Sequence, residues 1–122
     1  MTVNSLNVRS SIWGTILGQI PNGRRLVQIG EQDGWVKVWY EGRAAWIYKG
    51  YTQRVTSGTA DQVTTDVLNV RTGPGTSNSI VGQARNGQQY VRSSSSGDWR
   101  QIHFGRNLRW FHGGYTKAVP IR

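Results

Sequence analysis

Side chains that could carry out catalysis are few and poorly spaced. The two histidines, His103 and His112, lie in the second half of the chain with Asp66 and Asp98, and residues 93–96 are a run of serines. A Ser-His-Asp triad needs a nucleophile elbow and an oxyanion-hole motif, and the sequence supplies neither. Two histidines without further ligands at fixed spacing do not form a metal site, isolated acids do not make a glycosidase pair, and there is no cysteine. We therefore predict that the chain is not an enzyme and has no cofactor or metal.

Aromatic side chains are the better candidates for a binding site. The 122 residues include six tryptophans and five tyrosines, a heavy share for so short a chain. A flat ring can stack on a sugar face or hold a peptide backbone, and an arginine beside it can clamp a carboxylate or phosphate. The candidate ligand-binding residues are Trp13, Trp35, Trp39, Tyr48, Trp99, His103, His112, Arg9 and Arg71.

An internal repeat determines where these residues must lie. Residues 6–9, Leu-Asn-Val-Arg, return 62 positions later as residues 68–71. Residues 50–52, Gly-Tyr-Thr, return 64 positions later as residues 114–116, so the second copy carries a two-residue insertion after its tetrad. A repeat of about 60 residues indicates two very small domains rather than a solenoid.

The repeat leaves the roles of several residues open. Trp35 and Trp46 recur 64 positions later, so a structural role in each unit and a ligand-binding role are equal alternatives. Trp13 and Trp39 occur in the first unit only, which indicates either a ligand platform or a contact between the units. Strand alternation predicts that Trp35, Trp39 and Trp46 lie on the face opposite the core, which is either solvent or an interface, and the ligand-binding hypothesis takes Trp35 and Trp39 as exposed. The repeated arginines can either clamp a ligand anion or bind carbonyls of their own loops.

Both units are predicted to be all-β. Residues 35–40 give the most regular apolar alternation, and the Asn-Gly pairs at residues 22–23 and 86–87 are strong hairpin signals. No stretch shows a sustained helical period with caps. About five short strands in each unit indicate a small β-barrel. The predicted organisation is a first domain at residues 1–55, a polar linker at residues 56–64 and a second domain at residues 65–122.

The spacing of these motifs resembles that of bacterial SH3 (SH3b) domains. Residues 68–75, Leu-Asn-Val-Arg-Thr-Gly-Pro-Gly, are similar to the opening signature of the family, and residues 34–38, Gly-Trp-Val-Lys-Val, to its central strand. The first unit has Ser-Ser-Ile-Trp-Gly at residues 10–14 in place of the Gly-Pro-Gly loop. The resemblance covers nearly the whole chain and implies two tandem small SH3-like β-barrels. It also implies a binding module that targets bacterial cell walls through a peptidoglycan peptide or an anionic wall glycan.

The net charge of +9 keeps other partners open. Residues 2–55 carry +4 and residues 65–122 carry +6, with Asp61 in the predicted linker. A diffuse positive field favours encounter with polyanions, and small basic barrels with surface rings can hold nucleic-acid strands. Nucleic-acid or other polyanion binding is therefore an alternative, as is a protein-interaction or scaffold domain of a phage or secretion assembly. The spread of the charge and the SH3b-like signature weigh against nucleic acid.

The sequence also bears on location. No run approaches the ~20 apolar residues of a membrane span, and the N-terminal residues do not form a signal peptide. We therefore expect no membrane span, and either a fragment of a longer protein with a fused catalytic domain or protein partner, or a phage-type protein. The family resemblance implies an extracellular or cell-wall-associated location.

Overall fold

The computed structural model describes residues 4–121 and confirms the predicted all-β class. Strands make up 57% of the described residues, more than twice the ~20–25% of an average domain. The strands are β1 Ser5–Arg9, β2 Ile16–Pro21, β3 Gln28–Gln32, β4 Trp35–Tyr40, β5 Arg43–Tyr48, β6 Thr59–Val63, β7 Val67–Arg71, β8 Ile80–Arg85, β9 Gln89–Ser96, β10 Trp99–His103, β11 Leu108–His112 and β12 Thr116–Pro120. Within residues 4–121, helix is limited to two single 3₁₀ turns, Lys49–Tyr51 and Gly113–Tyr115.

The strands form two antiparallel sheets. The first has the order β2-β1-β5-β4-β3, and the second has the order β12-β6-β9-β10-β11-β7-β8. We call residues 4–58 the first half and residues 59–121 the second half. β1 pairs with β2 through a bulge between Val8 and Arg9, and β7 pairs with β8 through a bulge at the equivalent step. The five strands of the first sheet thus recur in the second in the same spatial order.

Turn chemistry explains the register of the first sheet. The turn before β4 has Asp33 and Gly34 at φ of 52° and 81°, and the turn after it has Glu41 and Gly42 at φ of 48° and 89°. Two consecutive positive φ angles define the type I′ turn, whose twist matches that of the flanking strands. With both turns fixed, alternation directs Val38 into the core, where it is buried.

Each half has its own hydrophobic core. The first core consists of Leu6, Val8, Ile20, Val36, Val38, Tyr40, Ala45 and Ile47. The second consists of Val63, Leu68, Val70, Ala84, Tyr90, Ile102, Phe104 and Phe111. Both clusters are drawn mainly from alternate positions of the shared strands, as expected for small barrels.

The second sheet has two strands that the first lacks, and this corrects the predicted linker. β6 lies within residues 56–64 and pairs with both β9 and β12. Its residues Ala60 and Val63 are buried, and its acid Asp61 is buried in an ion pair with Arg92, whose Nε donates to Asp61 Oδ2 at 2.8 Å. The segment looked like a linker because it is polar, but its charge is satisfied by the neighbouring strand. The other boundaries of the domain division remain predictions.

The turn between β4 and β5 joins the two halves. The backbone N–H of Glu41 donates to the carbonyl of Phe104 at 2.8 Å, and that of Gly42 donates to Tyr90 Oη at 2.9 Å. Gln88 Nε2 donates to the carbonyl of Gly42 at 2.8 Å. Because Tyr90 and Gln88 are buried, these bonds are shielded from water and hold the halves in one orientation.

Packing at this turn leaves no room for a side chain on Gly42. A Cβ atom there would overlap the carbonyl oxygen of Gln83 in β8. Beside it, the Glu41 carboxylate accepts from Nε of Arg106 at 3.2 Å. The first half therefore inserts its own backbone between side chains of the second half.

Candidate functional site

Four aromatic rings form a continuous row in the first half. Trp35 lies edge-to-face between Trp13 and Tyr48, with ring centroids 5.1 Å and 5.5 Å away. Tyr48 in turn contacts Tyr51, at 5.3 Å between centroids. These rings come from the loop after β1, from β4, from the end of β5 and from the following 3₁₀ turn. We call Trp13, Trp35, Tyr48 and Tyr51 the first aromatic row.

Exposure varies along this row and corrects one prediction. Trp13 is 74% exposed, Tyr51 is 46% exposed and Tyr48 is 39% exposed, whereas Trp35 is only 4% exposed. The prediction that Trp35 is an exposed ring is wrong, because Trp13 and Tyr48 pack against it from two sides. Trp35 therefore supports the outer rings, which are the ones a ligand can reach.

Arg9 holds the loop that presents Trp13. Its Nη1 donates to the carbonyl of Gly14 at 2.9 Å, and the N–H of Ser10 donates to the carbonyl of Thr15 at 2.9 Å. This closure holds Trp13 at a φ of 57°, a conformation that costs a non-glycine residue about 1–2 kcal/mol. Arg9 Cζ lies 6.0 Å from the Trp13 ring centroid, within cation–π range. The geometry thus gives Arg9 the loop-binding role and keeps its charge beside the exposed ring.

A matching row occurs in the second half. The rings of Trp99 and His112 are 5.3 Å apart, and those of His112 and Tyr115 are 5.5 Å apart. His112 stands at the position that Tyr48 takes in the first half, and its Nδ1 accepts a hydrogen bond from the N–H of Gly114 at 3.0 Å. We call Trp99, His112 and Tyr115 the second aromatic row.

A small pocket accompanies the second aromatic row. Its volume is about 300 Å³, and it is lined by Thr65, Val67, Leu68, Asn69, Arg71, Thr76, Trp99, His112 and Tyr115. Nη1 of Arg71 donates to the carbonyls of Thr76 and Asn78, at 3.1 Å and 2.9 Å, so Arg71 holds its own loop as Arg9 does. Thr76 reaches the pocket from the loop after β7, which is the counterpart of the loop after β1 that carries Trp13 in the first half. The second site is therefore concave where the first presents a protruding ring.

A glycine makes room for one ring in each row. A Cβ on Gly50 would lie 2.6 Å from Cε2 of Tyr48, and one on Gly114 would lie 2.9 Å from Cε1 of His112. A side chain at either position would displace the ring above it. Each glycine is followed by the last ring of its row, Tyr51 or Tyr115, both exposed. These two tyrosines were absent from the predicted site, although the repeated Gly-Tyr-Thr was the signal that could have found them.

Trp39 and His103 lie between the halves, which corrects the prediction that they are exposed site residues. They occupy equivalent positions in β4 and β10. Trp39 packs against the second core, and Nδ1 of His103 accepts a hydrogen bond from the N–H of Arg25 at 3.1 Å. Burial, and then the charges of Arg24 and Arg25, lower the pKa of His103 to about 4. For Trp39 the geometry favours the contact between the units, one of the two alternatives left open by the sequence.

The chemistry available at the two rows is stacking and hydrogen bonding. Among residues 4–121, no cluster of three or more His, Asp or Glu side chains is placed to hold a metal ion. In the same part of the chain no helix is long and apolar enough to cross a membrane. Each row instead combines at least one exposed ring with an arginine that holds its own loop through Nη1. A guanidinium group has five N–H donors, so further donors are available to a ligand.

Comparison with known proteins finds similarity to one curated protein, to two solved structures and to one family model. A putative N-acetylmuramoyl-L-alanine amidase of Bacillus subtilis (strain 168), YrvJ, is 27% identical over 115 residues, covering 82% of this chain and 22% of that protein. The chain thus spans about a fifth of the length of this relative. The structures of NlpC2 and NlpC1 from Trichomonas vaginalis cover 94% of this chain, with TM-scores of 0.43 and 0.42. Their identities are 11% and 14%, and the matches cover 44% and 42% of those chains.

The family match falls on the second half and includes its whole aromatic row. The family model of the bacterial SH3 domain matches residues 66–117. This range runs from the residue before β7 to the second residue of β12, and it contains Arg71, Trp99, His112 and Tyr115. The family model thus finds one bacterial SH3 domain, over residues 66–117, which are less than half of the chain.

Proposed function

We propose that the chain is a non-catalytic module that binds bacterial cell-wall material, either a peptidoglycan peptide or an anionic wall glycan. The single observation that carries the proposal is the duplicated site. Each half places an aromatic row beside a loop-holding arginine, at positions related by the 62- to 64-residue repeat. The first half is, on this proposal, a second bacterial SH3 domain in tandem with residues 66–117.

The exposed rings suit a ligand with flat apolar faces and polar edges. Trp13 is the most exposed large hydrophobic side chain among residues 4–121, and its loop holds it at a positive φ. A rigid exposed indole offers stacking area with little loss of side-chain freedom. Beside it, Arg9 supplies positive charge and N–H donors to a carboxylate or phosphate. A wall peptide carries carboxylates, and an anionic wall glycan carries carboxylates or phosphates.

The family of the second half supports a wall target. Residues 66–117 match the family model of the bacterial SH3 domain, and the curated relative is named as a putative N-acetylmuramoyl-L-alanine amidase. Because the chain covers 22% of that protein, the activity of the relative belongs to a much longer protein. We propose that this chain works outside the cell or at the wall, and that it acts beside a catalytic domain or protein partner.

Two sites on one rigid body suit a repetitive polymer. The hydrogen bonds at Glu41 and Gly42 fix the halves, so the two aromatic rows keep one separation and one relative direction. Once one row is bound, the second meets its ligand at the high effective concentration of an intramolecular event. Two weak sites then give a long residence on the wall.

Binding to purified sacculi tests this function. We expect the intact chain to sediment with peptidoglycan sacculi, and Trp13→Ala to weaken binding by about tenfold, the worth of one stacked aromatic contact. Tyr115→Ala is expected to weaken binding by a similar factor at the second row. Val81→Ala, at a 42% exposed position of β8 outside both rows, is the matched control and should bind like the unaltered chain.

The charge of +9 defines the competing function, which the same assay separates. Binding to oligonucleotides through phosphate contacts would fall steeply with salt. We expect sacculus binding to persist at salt concentrations that abolish oligonucleotide binding. Absence of binding to sacculi from several bacterial species at low salt would contradict the proposal, and tight, salt-steep oligonucleotide binding would favour the polyanion alternative.

A further inference from the structure

The pocket beside the second aromatic row is open where the first half fills the corresponding place with a ring of its own. In the first half Trp13 packs edge-to-face against Trp35, and its ring centroid is 6.0 Å from Cζ of Arg9. The counterparts of Trp35 and Arg9 are Trp99 and Arg71, which both line the pocket. The loop after β7 has no aromatic side chain. A ligand can therefore lie between the arginine and the tryptophan of the second half.

Three side chains that line this pocket offer hydrogen-bond donors. Arg71 holds its loop through Nη1, and a guanidinium group has five N–H donors, so further donors are available. Nδ1 of His112 accepts from the N–H of Gly114 at 3.0 Å, so the proton of the neutral ring lies on Nε2, which is a donor. Oδ1 of Asn69 accepts from Nε2 of Gln83 at 3.3 Å, and the Nδ2 group of Asn69 carries two more N–H donors. The matching ligand is a group that accepts hydrogen bonds.

The charge at the pocket favours an anion. Arg71 supplies a positive charge, and no aspartate or glutamate among residues 4–121 lines the pocket. Asp66 and Asp98 are neighbours of lining residues in the chain, but both are exposed and neither lines the pocket. A guanidinium group fits a carboxylate because two of its N–H groups can bond both oxygens. One cation balances one negative charge, which favours a carboxylate over a phosphate monoester with nearly two charges.

The remainder of the pocket is small and largely apolar. Its volume is about 300 Å³, the lower end of the ~300–1,000 Å³ range of ligand pockets. Val67, Leu68 and the ring of Trp99 supply apolar surface, and Val67 is 39% exposed. A small aliphatic group attached to the carboxylate would remove part of this surface from water. A carboxylate beside a small aliphatic group thus matches the pocket in charge, in hydrogen bonding and in size.

We propose that the pocket of the second half binds the carboxylate of a small ligand group, with the carboxylate at Arg71 and the aliphatic part against Trp99. His112 Nε2 and Asn69 Nδ2 donate to the carboxylate oxygens. The carboxylate can come from the free end of a peptide or from a sugar acid. As the assignment of a wall ligand, this inference rests on the proposed function. The second half then binds an anionic group, while the first offers the flat face of Trp13.

An NMR titration of the intact chain with N-acetyl-dialanine tests the site. The matched probe is the C-terminal amide of the same dipeptide, which has the same shape and no charge. We expect chemical-shift changes at Arg71, Trp99 and His112, with unchanged signals from Trp13. Binding of such small probes is weak, on the order of 1 mM, and the acid should bind at least about tenfold more tightly than the amide. Equal binding of acid and amide would overturn the proposal.

A second pair of probes identifies the source of the carboxylate. Methyl glucuronide carries a carboxylate on a sugar ring, and methyl glucoside is its uncharged control. Tighter binding of the acetylated dipeptide would assign the pocket to a peptide end. Tighter binding of the glucuronide, with shifts at Arg71 and Trp99, would keep the carboxylate site and assign it to a sugar acid. Binding of neither acid would overturn the proposal.

A matched pair of asparagine variants locates the site. Asn69 and Asn7 occupy equivalent positions, and Oδ1 of Asn7 accepts from Nε2 of Gln19 at 2.9 Å, as Asn69 does from Gln83. Asn69→Asp keeps that acceptor, replaces two donors and adds a negative charge, so binding of the acid should weaken by at least about tenfold. Asn7→Asp makes the same change in the first half and should leave binding unchanged. Equal effects of the two variants would contradict a site in the second half.

The sacculus assay separates failure of this inference from failure of the proposed function. Sedimentation with sacculi, without binding of either acid, would keep the wall function and overturn the carboxylate site. Binding of an acid that Asn69→Asp removes, in a chain that does not sediment with sacculi, would keep the site and contradict the wall function. Thermal unfolding of both asparagine variants confirms that each is folded, because each is expected to keep the Tm of the unaltered chain to within a few degrees.

Discussion

The two halves of this chain have corresponding aromatic rows and differ in how their barrels are closed. In the second half β6 and β12 cover the edge of β9, and its core residues Val70, Ile102 and Phe111 are fully buried. In the first half the equivalent strands are absent from the described residues, and several core residues face a groove. Both aromatic rows are nevertheless present, with rings on β4 and β5 and on β10 and β11, and in the 3₁₀ turns that follow. A repeated unit can thus keep its aromatic row while the strands that close its barrel change.

The rows themselves differ at one end. The first ends in a ring at 74% exposure, Trp13, and the second has a pocket reached by Thr76. The ring that packs against the tryptophan of β4 or β10 is Tyr48 in the first half and His112 in the second. The halves are therefore expected to prefer different parts of a ligand rather than to bind two identical groups.

The largest expected loss of stability tests whether the barrel of the second half is more tightly closed than that of the first. Phe111→Ala removes a fully buried ring from the second core and should lower the free energy of unfolding by about 3–5 kcal/mol. Ile47→Ala, on the strand equivalent to that of Phe111, should cost no more than about 2 kcal/mol, because Ile47 already borders the groove. Urea denaturation monitored by tryptophan fluorescence measures both. An equal or larger loss for Ile47→Ala would show that the first half is as tightly closed as the second.

A smaller loss of stability tests whether the turn after β4 holds the two halves in one orientation. Gly42→Ala should cost about 2–3 kcal/mol, since it combines a φ of 89° with overlap of the Gln83 carbonyl. Gly34→Ala is the matched control: its φ is 81° but a Cβ there meets nothing within 4 Å, so about 1 kcal/mol is expected. Thermal unfolding compares the two. Equal costs would mean that the turn is not packed between the halves.

The smallest effect concerns pH. Because folding lowers the pKa of His103 to about 4 from 6.5, the unfolded chain binds a proton first, and stability is lost as the pH falls from about 6.5 to 4. Partial exposure of the ring limits the loss to about 2 kcal/mol. His103→Asn keeps an acceptor for the N–H of Arg25 and cannot titrate, so its unfolding free energy should fall less over this range. Parallel pH profiles for the two proteins would contradict this role of His103.

Much of the fold follows from local patterns in the sequence. The tetrads at residues 6–9 and 68–71, the Asn-Gly turns and the alternation in β4 suffice for an all-β chain with a repeated strand order. β6 was missed because its buried acid, Asp61, makes the segment look like a solvated linker. Only a partner on another strand, Arg92, makes such a residue compatible with burial, and the sequence does not reveal that pairing.

The exposure of the candidate site residues was predictable for some rings and not for others. Trp13 and Tyr48 are exposed as predicted, whereas Trp35 is covered by them and Trp39 and His103 lie between the halves. Strand alternation gives the side of the sheet on which a ring lies. It does not show what packs on that side. Trp35 is covered by Trp13 from a loop and by Tyr48, whereas Trp39 and His103 are each covered by the other half.

The hydrogen bonds made by the Glu41–Gly42 turn also limit how recombination could separate the two halves. Its backbone depends on Gln88, Tyr90 and Phe104, so a first half grafted onto an unrelated neighbour would leave buried donors and acceptors unsatisfied. An SH3-like unit without such bonds could be moved alone between genes, whereas the first half depends on hydrogen-bond partners in the second half. The piece that recombination can move without loss is therefore the pair.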